Sequence, residues 1–192
     1  MIQKLTYNED DYCIGLCEIS NSNGLGMDEL LDLAKSCSKD ILAIQFFNSR
    51  LIAGEIHLLS AAQNAVNAWR GNYMIARSLD VEIIVYASAQ RQIHQALSLL
   101  GVKDGLTSIS IVIVDKEEKK VVGTLVEMIN QIGEEIDPPF APTEEKIDFL
   151  MNIFDITESE MQYFIDSDDI SDRMQALSKC ITSRVTLVAL GT

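Results

Sequence analysis

Apolar residues fall into two regimes along the chain, strands alternating with helices up to about Asp137 and helices alone beyond it. Asp11 to Ile19 forms a short β-like run carrying Ile14 and Leu16, closed by a turn signal at Asn21, Asn23, Gly24 and Gly26. Ile41 to Phe47 is a nearly unbroken apolar run between Asp40 and Asn48, the pattern of a strand covered on both faces, and is expected at the centre of a sheet. Val81 to Ala87 and Ile109 to Val114 have the same short, β-branched character, which brings the expected strands to four. Helical spacing predicts helices from Asp28 to Cys37, Ala53 to Arg70, Ala89 to Leu100, and from near Val121 to Gly133.

Asp137-Pro138-Pro139 interrupts this pattern, because proline cannot continue a helix and restricts the residue before it. The expected organisation is an α/β core over residues 1–136 and an acidic helical subdomain over 137–192 packed on that core. The second part predicts helices over Thr143 to Phe154, Thr157 to Ile165 with a Thr157-x-x-Glu160 capping box, and from about Asp169 onward. The last helix carries an apolar stripe at Met174, Leu177, Ile181, Val185 and Val188, either sealed in the core or free to dock a partner. The fold class is therefore α+β, a mixed α/β arrangement with a small sheet of about four strands flanked by helices.

Two helices carry informative side chains. On Ala53 to Arg70, a half-circumference arc from Ile56 to Trp69 rich in alanine and leucine is expected to be buried. His57, Ser60, Gln63, Asn64, Asn67 and Arg70 fall on the opposite arc, either plain polar surface or the lining of a groove. On the helix from Ala89, Ser88 is the expected N-cap and Arg91 falls in the first turn, where free amides carry partial positive charge. A cation there costs about 0.3 to 1 kcal/mol unless an anion is near. Either Asp80 or Glu82 neutralises it within the chain, or the amides and the guanidinium together form an anion site.

Charge sharpens this contrast. The chain has 15 Lys and Arg against 29 Asp and Glu, a formal charge of -14, which argues against a protein that coats nucleic acid with a basic surface. Ser49 to Lys103 nevertheless carries five basic and three acidic residues, net +2, while Asp137 to Asp172 carries eleven acids and one base, net -10. The acidic stretch is either a solvated helical face or a region that repels nucleic acid from all but the middle of the chain.

Familiar catalytic chemistry finds little material. There is no Gly-x-Ser-x-Gly elbow, and Gly24-Leu25-Gly26 lacks the further glycine and the Lys-Ser/Thr pair of a phosphate-cradling loop. His57 and His94 have no Cys or His at ligand spacing, so neither a metal nor any other cofactor is expected, and the chain reads as non-enzymatic. Cys13, Cys17, Cys37 and Cys180 read as reduced and mostly buried thiols. No apolar run approaches the ~18 residues of a membrane span, and Glu9, Asp10 and Asp11 interrupt any apolar leader, so a cytoplasmic protein without a membrane partner is expected.

Three ordered segments carry a resemblance: Ile52-Ala-Gly-Glu-Ile-His-Leu-Leu-Ser-Ala-Ala-Gln-Asn-Ala65, Val81-Glu-Ile-Ile-Val-Tyr-Ala-Ser-Ala-Gln-Arg-Gln-Ile93 and Leu100-Gly-Val-Lys-Asp-Gly105. Together they resemble the kinase-binding subunit of the KEOPS complex, the TPRKB-like family. The likeness is strongest from Cys37 to Val114. It implies a non-catalytic accessory subunit of the complex that makes threonylcarbamoyl-adenosine in tRNA. Such a subunit docks on a small PRPK-type kinase, meets the other KEOPS subunits indirectly, and in archaeal examples helps capture tRNA by its single-stranded 3′ CCA end. Ser88, Arg91 and Gln92 lie in the family's Ser-x-x-Arg-Gln-Ile element and His57 in its Glu-Ile-His-Leu element. The site expected from this is Arg91 with neighbouring amides on a backbone phosphate, and Gln92 or His57 on a base or ribose. The kinase-docking residues stay unassigned. Two other readings stand beside this one, a generic α/β scaffold with a different partner and a small enzyme holding a phosphorylated metabolite at Arg91.

Overall fold

The computed structural model describes residues 1–7, 10–38, 40–167 and 169–190. Glu9 and Asp168, which enter the charge reading, lie outside the described residues. Five strands, β1 (Ile2–Tyr7), β2 (Asp10–Ser20), β3 (Ala43–Asn48), β4 (Ser108–Asp115) and β5 (Glu134–Glu135), form an antiparallel sheet of order β1-β2-β4-β3, with the short β5 also pairing β2. The helices are α1 (Met27–Cys37), α2 (Glu55–Gly71), α3 (Leu79–Ala87), α4 (Ile93–Leu100), α5 (Glu118–Ile132), α6 (Glu144–Phe154), α7 (Glu158–Met161) and α8 (Ile170–Leu187). The expected α+β class is borne out.

The period-two pleat sorts the strand residues cleanly between two cores. Tyr12, Ile14 and Leu16 of β2, Val112 and Val114 of β4, and Ala43 and Phe47 of β3 face α2, α3, α6 and α8. Cys13, Cys17 and Ile19, then Ile109, Ile111 and Ile113, then Ile44 and Phe46 face α1 and α5. Register enforces this sorting, since Ile14 and Ala43 both stand opposite Val114. Gly15 lets α5 close on the sheet: a Cβ there would lie 2.5 Å from Val121 Cγ1. Cys13, Cys17 and Cys180 are buried free thiols, as expected, and Cys37 is half-buried.

Residues 81–87 are the first correction, because they form the helix α3 and not a strand. Ile83, Ile84, Val85, Tyr86 and Ala87 are all buried, since α3 is enclosed by α2, α4, α8 and β3. A helix packed all round loses the polar face that would reveal its 3.6-residue period. Its local signal is Glu82 in the first turn, fully buried, whose carboxylate accepts hydrogen bonds from the backbone N–H groups of Ile75 (3.0 Å) and Ala76 (2.6 Å). Residues 41–47 supply the second correction: β3 lies at the edge of the sheet, and β2 and β4 are central. Helices cover both faces of β3, so its sequence is apolar throughout although only one edge is paired.

The helix expected from Ala89 begins at Ile93 instead, and α7 is a single turn, opened by the expected capping box between Thr157 and Glu160. The stripe on α8 is sealed, with Met174, Leu177, Ile181, Val185 and Val188 packed in the core that also holds α2 and α3. It is not available as a docking surface. The segment after Asp137 contributes Phe140, Ile147, Leu150 and Phe154 to that same core.

Removing the Glu82 carboxylate strands one buried and one half-buried amide just ahead of α3. Glu82→Ala is expected to lower the unfolding free energy by about 2 to 4 kcal/mol in urea denaturation. Asp80→Ala, on a more exposed carboxylate of the same turn, is expected to stay within about 0.5 kcal/mol.

Candidate nucleic-acid interface

The turn joining α3 to α4 is built by Ser88, which is fully buried and serves as the C-cap of α3 and not the N-cap of α4. Its hydroxyl donates to the Val85 carbonyl at 2.9 Å and accepts from the Gln90 N–H at 3.2 Å. Both bonds are internal, so Ser88 shapes the turn and does not reach a ligand. Ala89 then takes a left-handed conformation with φ of 54°, which swings residues 90–92 outward. Gln92 is the N-cap of α4, exposed, with no side-chain bond to the first-turn amides.

Arg91 is exposed, and its Nη1 donates to the Val188 carbonyl, just past α8, at 2.5 Å. Among the described residues it makes no ion pair. Neither carboxylate considered from the sequence neutralises it, since Glu82 is committed to the amides of residues 75 and 76. A carbonyl fixes the direction of a guanidinium without cancelling its charge. Ala89, Arg91, Arg184, Leu187 and Val188 line a shallow cavity of about 150 Å³. The second guanidinium there, Arg184, is neutralised: its Nη2 donates to Glu160 Oε1 at 2.5 Å. Arg184 was missed from sequence because it arrives from α8, far along the chain, and no local motif pairs it with Arg91.

His57 is the third correction. It lies in the interior, fully buried, with Nε2 2.7 Å from the Ala87 carbonyl and Nδ1 3.3 Å from the Ala53 N–H. A carbonyl only accepts and an N–H only donates, so Nε2 carries the proton and Nδ1 offers its lone pair. The ring stands edge-on to Phe154, with centroids 5.5 Å apart. Burial pushes its pKa down to about 4, leaving it neutral and out of reach of an RNA base. Counting strictly in turns of 3.6, His57 shares a stripe with Ala61, Ala65 and Ala68, all fully buried. Ile56 instead shares the stripe of Ser60, Gln63, Asn67 and Arg70 and is 45% exposed.

Among the described residues no group of three or more His, Cys, Asp and Glu converges as metal ligands, and no helix is long and apolar enough to cross a membrane. The model of the family described as kinase binding protein CGI-121 matches residues 17–189. The chain belongs to this family. A relative described as "Regulatory protein Cgi121", from Methanocaldococcus jannaschii, is 34% identical over 116 residues, which is 60% of this chain and 72% of that protein. The family resemblance carried by residues 52–65, 81–93 and 100–105 is thereby borne out, and all three segments lie inside the matched span.

The buried imidazole makes stability depend on pH. Its folded pKa of about 4 lies below the ordinary value near 6.5, so the unfolded chain takes up the proton first and stability falls as pH drops from 6.5 towards 4. The expected loss between pH 7 and pH 5, a range above most carboxylate titration, is about 2 kcal/mol. Urea denaturation of His57→Gln is expected to be less stable at pH 7 but to lose this pH-dependent component.

Proposed function

We propose that the chain is a non-catalytic accessory subunit of the KEOPS tRNA-modification complex in the cytoplasm. It binds and supports the complex's small PRPK-type kinase, meets the other subunits through that kinase, and helps recruit tRNA by its 3′ CCA end. Membership of a family described as kinase-binding supports the first part. The observation that carries the second is Arg91, a surface guanidinium held by a neutral carbonyl beside the uncapped start of α4.

A chain of net charge -14 repels a duplex at almost every approach. An unpaired terminal strand, narrow and able to splay its bases, can reach one local cation without bringing its remaining phosphates against the acidic surface. In this reading Arg91 takes a backbone phosphate and the exposed Gln92 amide meets a base edge or ribose. Ser88 and His57, both interior, hold the turn that presents them.

Titrating the full chain with tRNA, with and without the CCA end, across a salt series tests this. Removing the terminal nucleotides is expected to abolish measurable binding. Arg91→Ala is expected to weaken it by roughly tenfold and to flatten the slope of log K against log salt by about 0.7, one single-strand phosphate contact. Kinase association of Arg91→Ala should stay at the wild-type level. Equal affinity for both tRNA forms, or equal loss of tRNA and kinase binding in Arg91→Ala, overturns the assignment.

A further inference from the structure

A groove of about 290 Å³ opens between the start of α2, the first turns of α8 and residues 139–142. Its walls are apolar where Ile56, Pro139, Pro142 and Met174 line it. Ile56 is the large aliphatic residue on the otherwise polar stripe of α2, where a solvated helix has no use for one. At the floor, a helix start without a side-chain cap stands beside a hydroxyl without a partner. The 17-residue helix α2 begins at Gly54, which has no side chain to cap its first amides. Beside it the hydroxyl of Ser178, 3% exposed, has no hydrogen-bond partner among the described residues. A Cβ on Gly54 would lie 3.9 Å from that Oγ, so the hydroxyl stands at the open end of the helix.

A buried hydroxyl without a partner, a helix start without a side-chain cap and an apolar wall ask for an acceptor attached to an apolar group. Charge decides which acceptor. Glu55 is the one charged residue of the lining, and although Glu144, Glu145, Glu158 and Glu160 are paired by Arg50, Arg173 and Arg184, the other acids of residues 137–172, which supply one wall and the start of α8, keep the local field negative. Phosphates and carboxylates are repelled there, whereas a neutral carbonyl is not, and basic groups flanking it are attracted. A peptide segment that presents an apolar side chain and its own backbone carbonyl between basic residues meets every one of these demands.

We infer that this groove is where the small kinase docks, inserting an apolar side chain against Ile56 and Met174 and giving a backbone carbonyl to Ser178 and the first amides of α2. The inference rests on the kinase-binding reading above and adds the surface and the chemistry of the segment that fits it.

Calorimetric titration of the full chain with the kinase of the same organism tests it, with tRNA binding and thermal melting measured on every variant. Ile56→Asp, on an exposed position, is expected to lower kinase affinity by about thirtyfold through an unpaired charge in the closed groove, with tRNA affinity unchanged. Ser178→Ala is expected to lower it about three- to tenfold, the effect of one neutral hydrogen bond, without lowering the melting temperature, because the hydroxyl has no partner within the chain. A purely structural serine would not separate those two readings. Wild-type kinase affinity in both variants overturns the groove and leaves the kinase-binding reading standing. Loss of tRNA binding in Ile56→Asp with kinase affinity intact gives the groove to RNA and equally overturns the inference. No kinase binding by the wild-type chain overturns both.

Discussion

A neutral imidazole enclosed between helices ties the start of α2 to the end of α3, and both candidate surfaces hang from that tie. His57 accepts from Ala53, in the wall of the groove, and donates to Ala87, the last residue of α3, from which the turn carrying Arg91 departs. The bonds require one tautomer in one charge state. A second proton on Nδ1 would turn the acceptor into a donor facing the Ala53 N–H and leave a charge with no counterion inside the core. Desolvation drives the pKa to about 4, so the ring stays neutral, with both bonds in place, well into the acid range. A histidine in a family motif need not touch the ligand to matter to it.

What the sequence revealed and concealed follows from the range of the interaction concerned. The capping box at Thr157 and Glu160 rests on neighbours three residues apart and is legible, and β2 and β4, though paired across the chain, are legible from their own apolar runs. Helix α3 is not, because four elements enclose it and erase the polar stripe by which a helix is known. Strand β3 reads as central because burial of its two faces and pairing of its two edges leave the same apolar signature. At the site, Arg91 reads as a first-turn residue of a helix that begins instead at Ile93, and Gln92 enters only through the family motif. His57 reads as surface by its polarity but is interior by its spacing: positions 57, 61, 65 and 68 form one stripe, whatever the chemistry of the first. The Val188 carbonyl and Arg184 reach the turn only through the tertiary fold, so no local pattern announces them.

Two arginines in one cavity show how a fold chooses which cation to leave active. Arg184 faces the Glu160 carboxylate and its charge is spent inside the molecule. Arg91 faces a carbonyl, which supplies a direction through a charge-assisted bond while leaving the positive charge without a counterion. The salt bridge to Asp80 or Glu82 that the sequence allowed would have cancelled the charge of Arg91. Glu82 is withheld from Arg91 because the amides of Ile75 and Ala76 need it. A structural demand at the start of α3 thereby leaves the cation at its other end uncompensated.

Helix α8 sets the distance between the two surfaces. It contributes Gln175 and Ser178 to the groove and hands Val188 to Arg91 at its far end. At 1.5 Å per residue, the thirteen steps from Gln175 to Val188 span roughly 20 Å. Screening in physiological salt falls off over about 8 Å, so a phosphate at Arg91 is largely shielded from the acids at the opening turn of α8, and a basic segment in the groove from the guanidinium. With its apolar stripe locked in the core, α8 keeps the two candidate surfaces apart by a fixed length of helix.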